Sequence, residues 1–520
     1  MSYFQKKLEK RKKKYFKTRD HQTSMDRRAT LSFTLSKRQR ERKLQRLRFR
    51  PAPTSLITPS IDVSEWEKLP KPQPNDLFRY QGILNKGEQA QVYKHIILVR
   101  KLVTKGTIQS CNMVIASGII EHLIDYLSKF EDPYLQLESV RIFGQIADIN
   151  PASARILYEY EIIPKLIKIL TTKKTEIFEH AIWILGSMAQ KSEQYREEIL
   201  KEKDSIKTIM NALNFENPPT SLLKYLSFVL FALSHTNNIK FKELLNPCVE
   251  FFLKSIFSEN LEIVKDCCWG LANLTTNFTE FVNKIKDGST IEKFNNILES
   301  NNQNLQIPIF KCIGNIIYLN EGENENEIYL SNKNMGIFKD LFDQEYNNNN
   351  NQKPTNDIYW TLSNICKGSE EQIQIIIDNE FIPFIIDHIK YENYPIKMYL
   401  IFCLSNICLY GSNPQLDYLL NFPILKIFCD ALLENHAEQT FSSLKAIEAL
   451  LYYGKILNND QFSQKVNPIY QRIQSIYCEN RITKQINNNI IKISKLSSSI
   501  HDQYFNINDE SNDFEIELEN

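Results

Sequence analysis

Glycine is scarce, with 14 residues in 520. A turn-rich β fold needs more, so the shortage favours helices. The ten cysteines form no Cys-x-x-Cys pair and no Cys/His spacing suited to a metal. That pattern argues against metal and disulfide frameworks and fits free, buried thiols in a reducing compartment. No apolar run is long enough to span a bilayer, and no hydrophobic region follows the basic start. The expectation is a soluble, intracellular protein without a membrane span or secretory leader. Phosphate loops, metal-ligand clusters and nucleophile–base pairs are missing as well, so no enzyme activity, no metal and no cofactor are expected.

Net charge is nearly absent, at +1, yet its distribution is lopsided. Residues 1–50 hold 19 Lys and Arg against four Asp and Glu, and the remaining residues hold 44 against 58. A basic arm on an acidic body can fold back on that body or pass to an acidic partner. Residues 51–77 are proline-rich and read as an extended linker. Helical periodicity runs over residues 78–497, and residues 498–520 read as an acidic disordered tail.

The long middle section repeats. SVRIFGQIAD, HAIWILGSMAQ, LFALSHTNN, CCWGLANLTTN, FKCIGNIIYLN, YWTLSNICKG and IFCLSNICLYG align on Gln145, Ser187, His235, Asn273, Asn315, Asn364 and Asn406. The separations are 42, 48, 38, 42, 49 and 42 residues, the period of armadillo and HEAT arrays. The run Asn347 to Asn351 lengthens one interval and belongs in a surface loop. Apolar helices such as EYEIIPKLIKIL and NEFIPFIIDHIK carry a proline near their start, where the missing N–H costs little. The predicted fold is all-α: a right-handed armadillo-repeat solenoid of nine to ten repeats.

Three repeats pair a tryptophan with a polar residue one turn later: Trp183–Ser187, Trp269–Asn273 and Trp360–Asn364. Positions i and i+4 share a helix face, and equivalent helices of a solenoid line one concave surface. An indole face suits the stem and charge of Lys or Arg. A carboxamide can donate to and accept from the main chain of an extended peptide. Asp266 and Asp357 lie three residues before a tryptophan, and Glu321 follows Asn315, so acids stand beside the row. Single tryptophans in helices usually serve a core; a recurring pair at the array period points to a peptide ladder.

The segments WGLANLTTN, KCIGNIIYLNE and YWTLSNICKGSEEQIQIII resemble importin-α, the adaptor that carries nuclear localisation signals to importin-β. The opening repeat, VYKHIILVRKLVTKG to VIASGIIEHLIDYL, is similar to that family's first armadillo repeat. YFKTRDHQTSMDRRATLSFTLSKRQRERKLQRLR is similar to its importin-β-binding domain. The resemblance implies importin-β contacts from Lys12, Lys13, Lys14, Arg27, Arg28, Lys37, Arg38, Arg40, Arg42 and Lys43. Thr23 or Ser24 suits the cap of the arm's helix, with Asp26 in its first turn. The competing reading of the arm, a nonspecific nucleic-acid tail, sits less well with its aromatic and leucine residues.

The resemblance also implies two cargo grooves. In the major one the aligned positions are Arg141–Gln145, Trp183–Ser187, Phe231–His235 and Asp266 with Trp269–Asn273. Lys191 stands where the family usually has an acid, so this groove reads as degenerate, with a built-in repulsion toward a cargo lysine. In the minor groove Lys311–Asn315, Glu321, Asp357, Trp360–Asn364 and Phe402–Asn406 keep the pattern, whereas Tyr399 replaces a usual acid. Cargo binding is therefore expected to lean on residues 311–406. The implied partners are importin-β, basic signal-bearing cargo and the importin-α export receptor, with shuttling between cytoplasm and nucleus. The alternative is an importin-α-derived armadillo scaffold with altered or lost signal binding.

Overall fold

The computed structural model describes residues 57–104, 106–172, 174–300, 302–319, 331–347, 356–392, 394–432 and 436–457. The basic arm with all ten of its assigned residues, Glu321 and the acidic tail lie outside them. The described residues form helices and no strand. The chain divides into two compact units, residues 1–293 and 294–520.

In unit 1 the repeats are helix triplets: Ile108–Ala116, Ile119–Leu127 and Pro133–Ile149, then Pro151–Glu159, Ile162–Ile169 and Thr175–Lys191, then Glu193–Lys201, Ser205–Met210 and Thr220–Leu233. Asn246–Ser255 and Leu261–Asn277 follow. Unit 2 contains Gln303–Leu319, then Asn332–Asn347 and Asn356–Ile365, then Glu370–Asp378, Phe381–Ile389 and Ile396–Tyr410, and last Asn413–Leu420, Ile424–Leu432 and Ala437–Leu457. Two short helices and one longer one per unit of about 40–47 residues is the armadillo pattern. The fold is thus the expected α-solenoid of armadillo repeats.

Local chemistry places the boundaries. Pro133 and Pro151 occupy first turns, and the side chains of Asp132 and Asn150 accept from Leu135 and Ser153 N–H at 3.1 and 2.7 Å. Ser369 and Ser412 begin capping boxes closed by Gln372 and Gln415. Four second helices start after a left-handed residue: Gly118 (φ 76°), Glu161 (53°), Asp204 (55°) and Glu380 (58°). The recurrence of one sharp turn at one place in four repeats gives the array a second register, independent of the tryptophans.

The third helices pack against one another. Their apolar faces bury Ile142, Phe143, Ile182, Leu185, Leu271, Leu274, Leu362, Ile365, Leu404 and Ile407. The described cysteines are free thiols, all buried except half-buried Cys429. No helix of the described residues is long and apolar enough to cross a membrane.

The end of the proline-rich stretch is built into unit 1, where an extended linker was expected. Ser64–Lys68 forms a helical turn. Lys101 Nζ donates to the carbonyls of Trp66, Glu67 and Leu69 at 3.2, 2.5 and 2.6 Å. Lys71 Nζ donates to Thr104 O at 2.9 Å. A cationic residue on the helix Gln89–Val103 thus gathers the carbonyls at the end of the short turn.

Candidate functional site

The aligned polar positions share one register in each unit. Asn273 Nδ2 approaches Ser234 Oγ at 3.2 Å and His235 Nε2 at 3.4 Å. Asn406 Nδ2 donates to Ser363 O at 2.7 Å. Each asparagine therefore reaches back one repeat, to the aligned position or its preceding neighbour. The alignment read from the sequence is a spatial row.

The row is more closed than the sequence suggests. Trp183, Trp269 and Trp360 are 3%, 5% and 6% exposed, and Phe231 and Phe402 are equally buried. Ser187, Asp266, Asn315, Asn364 and Asn406 are buried too, while Arg141, Gln145, His235 and Asn273 are half-buried. The rings fill the gaps between stacked helices. A Cβ added to Gly144 would meet Trp183 Cζ3 at 2.3 Å, so this indole lies on the backbone of the preceding repeat. Phe231 packs edge-on against His235, ring centroids 4.8 Å apart, and His235 Nδ1 lies 3.0 Å from Phe231 O. Open indole faces were the expectation; close helix stacking covers them.

In unit 1 the charges along the row are already paired. Glu138, fully buried, accepts from Arg100 Nε at 2.5 Å and Arg141 Nη1 at 2.8 Å. Arg100 also pairs with Glu67 of the docked turn, and Arg141 Nη2 lies 3.5 Å from Glu176. Asp266 accepts from Ser227 Oγ at 3.3 Å. Lys191 was expected to face a ligand as a free repulsive charge. Its ammonium instead lies 3.9 Å from the Asp148 carboxylate and 3.4 Å from Asp148 O. Burial pushes the Asp148 carboxyl up, against the pull of Lys191. His180 is buried and, through desolvation and then the nearby Arg141, is lowered to about 3, so it stays neutral. Nothing about it suggests a base.

In unit 2 Lys311, Asp357 and Trp360 come together. Lys311 Nζ lies 3.0 Å from Asp357 Oδ1 and 5.4 Å from the centre of the Trp360 ring. The buried Trp360 Nε1 has no hydrogen-bond partner among the described residues. One turn on, the Asn364 carboxamide makes no side-chain hydrogen bond among the described residues. Phe402 and Asn406 sit on the neighbouring helix Ile396–Tyr410. Farther along, Lys367 stands over Tyr318 at 4.1 Å and Tyr410 at 5.8 Å. This second lysine–aromatic contact, like the Asp148–Lys191 and Glu138–Arg100 pairs, was missed in the sequence, because the partners are about one repeat apart. Basic residues at one register facing acids or rings at the next are the signal that could have found them. No group of three or more metal-ligating side chains occurs among the described residues.

No protein-family model matches the chain. It is similar to importin subunit alpha-1a of Oryza sativa subsp. japonica, 22% identical over 279 residues, 54% of this chain and 52% of that one. It is also similar to importin subunit alpha-8 of Arabidopsis thaliana, 23% identical over 392 residues, 75% of this chain and 85% of that one. The chain spans about half the length or less of the rice relatives it matches. Among solved structures, an engineered protein superposes with a TM-score of 0.59 at 15% identity, over 81% of this chain and 98% of that one. That likeness speaks for the fold alone. Armadillo scaffolds of this kind bind other proteins and are not enzymes. Taken together, the repeats and the relatives make this chain an importin-α-like armadillo protein, widely diverged from them.

Proposed function

We propose that this protein is a nuclear import adaptor. Its concave ladder takes an extended basic segment of a cargo protein, and residues 1–50 engage importin-β. The observation that carries the reading is the Lys311–Asp357–Trp360 cluster. There a lysine ammonium is held by a carboxylate at 3.0 Å over an indole at 5.4 Å, the chemistry a basic peptide would use. Asn364, one turn away, has its carboxamide in reserve for a peptide main chain. Cargo binding in this reading belongs to Lys311, Asn315, Asp357, Trp360, Asn364, Phe402 and Asn406, with Glu321 outside the described residues. Exchange with an export receptor and shuttling between cytoplasm and nucleus complete the cycle.

A second reading, an armadillo scaffold with altered signal binding, is favoured by unit 1. There Glu138, Glu176 and Asp148 already hold Arg100, Arg141 and Lys191. One pair of measurements separates the two. The adaptor requires that full-length protein capture importin-β through residues 1–50. It also requires that Trp360→Ala with Asn364→Ala weaken binding of a labelled basic peptide at least tenfold. Unchanged peptide binding in that double variant, with loss in Trp183→Ala, would move the site to unit 1 and sink the assignment to residues 311–406.

A further inference from the structure

We propose that the outer face of helix Leu77–Lys86 is a docking surface for the carrier that takes the basic arm. The inference rests on the adaptor reading above and adds a second point of contact, on the solenoid of unit 1. This helix begins the array and buries Leu77, Tyr80 and Leu84 on one face. On the other face Phe78 is 66% exposed. A Cβ added to Gly82, one turn on, would meet nothing within 4 Å. The end helix of a repeat array usually shows polar residues to water, so a bare phenylalanine there points to a partner. Arg79 and Lys86 are exposed on the same helix, which contains no acid. Neither makes an ion pair among the described residues. Asp76, just before the helix, already accepts from Gln73 N–H at 3.1 Å. An apolar spot flanked by cations suits an acidic protein, the same class of partner that a basic arm recruits.

The docked segment 60–71 brings the arm to this face. Ser60 Oγ lies 3.4 Å from Tyr93 Oη, which also accepts from Gln89 Nε2 at 3.0 Å. The segment therefore starts beside the turn that follows Lys86. Lys101, Arg100 and Thr104 then hold residues 66–71. From Ser60 back to Arg50 is ten residues, at most about 35 Å of chain. Were the segment loose, the leash would start at Leu77 and run 27 residues, about 95 Å at full stretch. Effective concentration falls as about the −3/2 power of leash length, so docking raises it roughly fourfold. Helix Leu77–Lys86 is only about 15 Å long. A carrier held on the arm can rest on it.

The test titrates labelled importin-β into the full-length protein and its variants. Lys37→Glu with Arg38→Glu and Arg40→Glu should abolish capture, since the arm is the main contact. Phe78→Ser with Arg79→Glu should weaken it about tenfold, the loss of one aromatic anchor and one charge. Both side chains are exposed, so this variant keeps its fold. Lys101→Met, which loosens the segment, should weaken capture about threefold in the parent. In the Phe78→Ser, Arg79→Glu background it should have no effect, because the leash then has no second contact to favour. As a second measurement, importin-β should slow hydrogen exchange at residues 80–86 of the parent. Suppose the arm variant loses capture while Phe78→Ser with Arg79→Glu matches the parent. The surface is then wrong and the adaptor reading survives. No capture of importin-β by the parent overturns both. A Lys101→Met effect of equal size in the two backgrounds, or unchanged exchange at residues 80–86, overturns the surface.

Discussion

Gly144→Ala is expected to destabilise the protein even though it improves a helix. In an open helix the change gains about 1 kcal/mol of propensity. Here the new Cβ would lie 2.3 Å from Trp183 Cζ3 and 2.9 Å from Cε3, inside van der Waals contact. The ring is rigid and only 3% exposed, so it cannot turn into water. Separating the atoms requires a shift of about 1 Å between two packed helices, and overpacking of that kind costs about 1–3 kcal/mol. The two effects oppose each other, and the net expectation is a loss of about 1 kcal/mol.

The decisive comparison is the background. With Trp183→Leu the obstructing ring is gone, and Gly144→Ala should then stabilise by about 1 kcal/mol. The sign reverses, and the cycle gives a coupling of about 2 kcal/mol between positions 144 and 183. Repeat arrays unfold in parts, so global midpoints are a poor readout. Hydrogen exchange of the amides of Pro133–Ile149 and Thr175–Lys191 reports the local opening free energy directly. If Gly144→Ala stabilises equally in both backgrounds, Trp183 is not seated on residue 144 and the closed ladder of unit 1 is wrong.

Two further perturbations test the ladder's surroundings. Burial, then Arg141, lowers His180 to about 3, so in the window from about 6.5 down to 3 the unfolded chain binds a proton that the folded chain refuses. Stability is full above pH 6.5 and falls as the pH drops through that window, by about 2 kcal/mol at pH 5. His180→Gln should remove that loss in denaturant titrations at pH 7.5 and 5, and identical pH responses in the two proteins would refute it. Lys101→Met removes the donor to Trp66, Glu67 and Leu69 carbonyls. With about 1.4 kcal/mol or more lost from the docked turn, trypsin should cut the Lys68–Leu69 bond about tenfold faster. An unchanged rate at that bond would mean the turn is held by other contacts.

Much of the architecture was legible because armadillo packing repeats its demands. Seven in-phase segments called for stacked helices burying one face at a fixed period; that they are the third helices of triplets came from the structure. The turns were less legible. Of the four left-handed residues before second helices, only Gly118 is a glycine; Glu161, Asp204 and Glu380 adopt the same conformation without its freedom. Their backbone is set by packing around the turn, which no residue type announces. The docked turn at Ser64–Lys68 was hidden for a related reason. Proline-rich composition speaks for extension, whereas the turn is held by Lys101 and Arg100, more than 30 residues later.

The ladder's chemistry was half legible, and the missing half decides which unit suits a basic ligand. Residue types gave the rows of rings, carboxamides and acids. They did not show that most acids already hold a partner. In unit 1 Glu138 bridges two guanidinium groups, each with another carboxylate of its own. A ligand cation would have to break a connected network, and a buried network resists the loss of any one member. In unit 2 Asp357 holds Lys311, whose charge sits on an unbranched and flexible stem. One-for-one replacement there keeps every charge compensated, and the indole stays in contact with an ammonium throughout. On this balance the proposed cargo site falls to residues 311–406, even though unit 1 has more of the row's tryptophans.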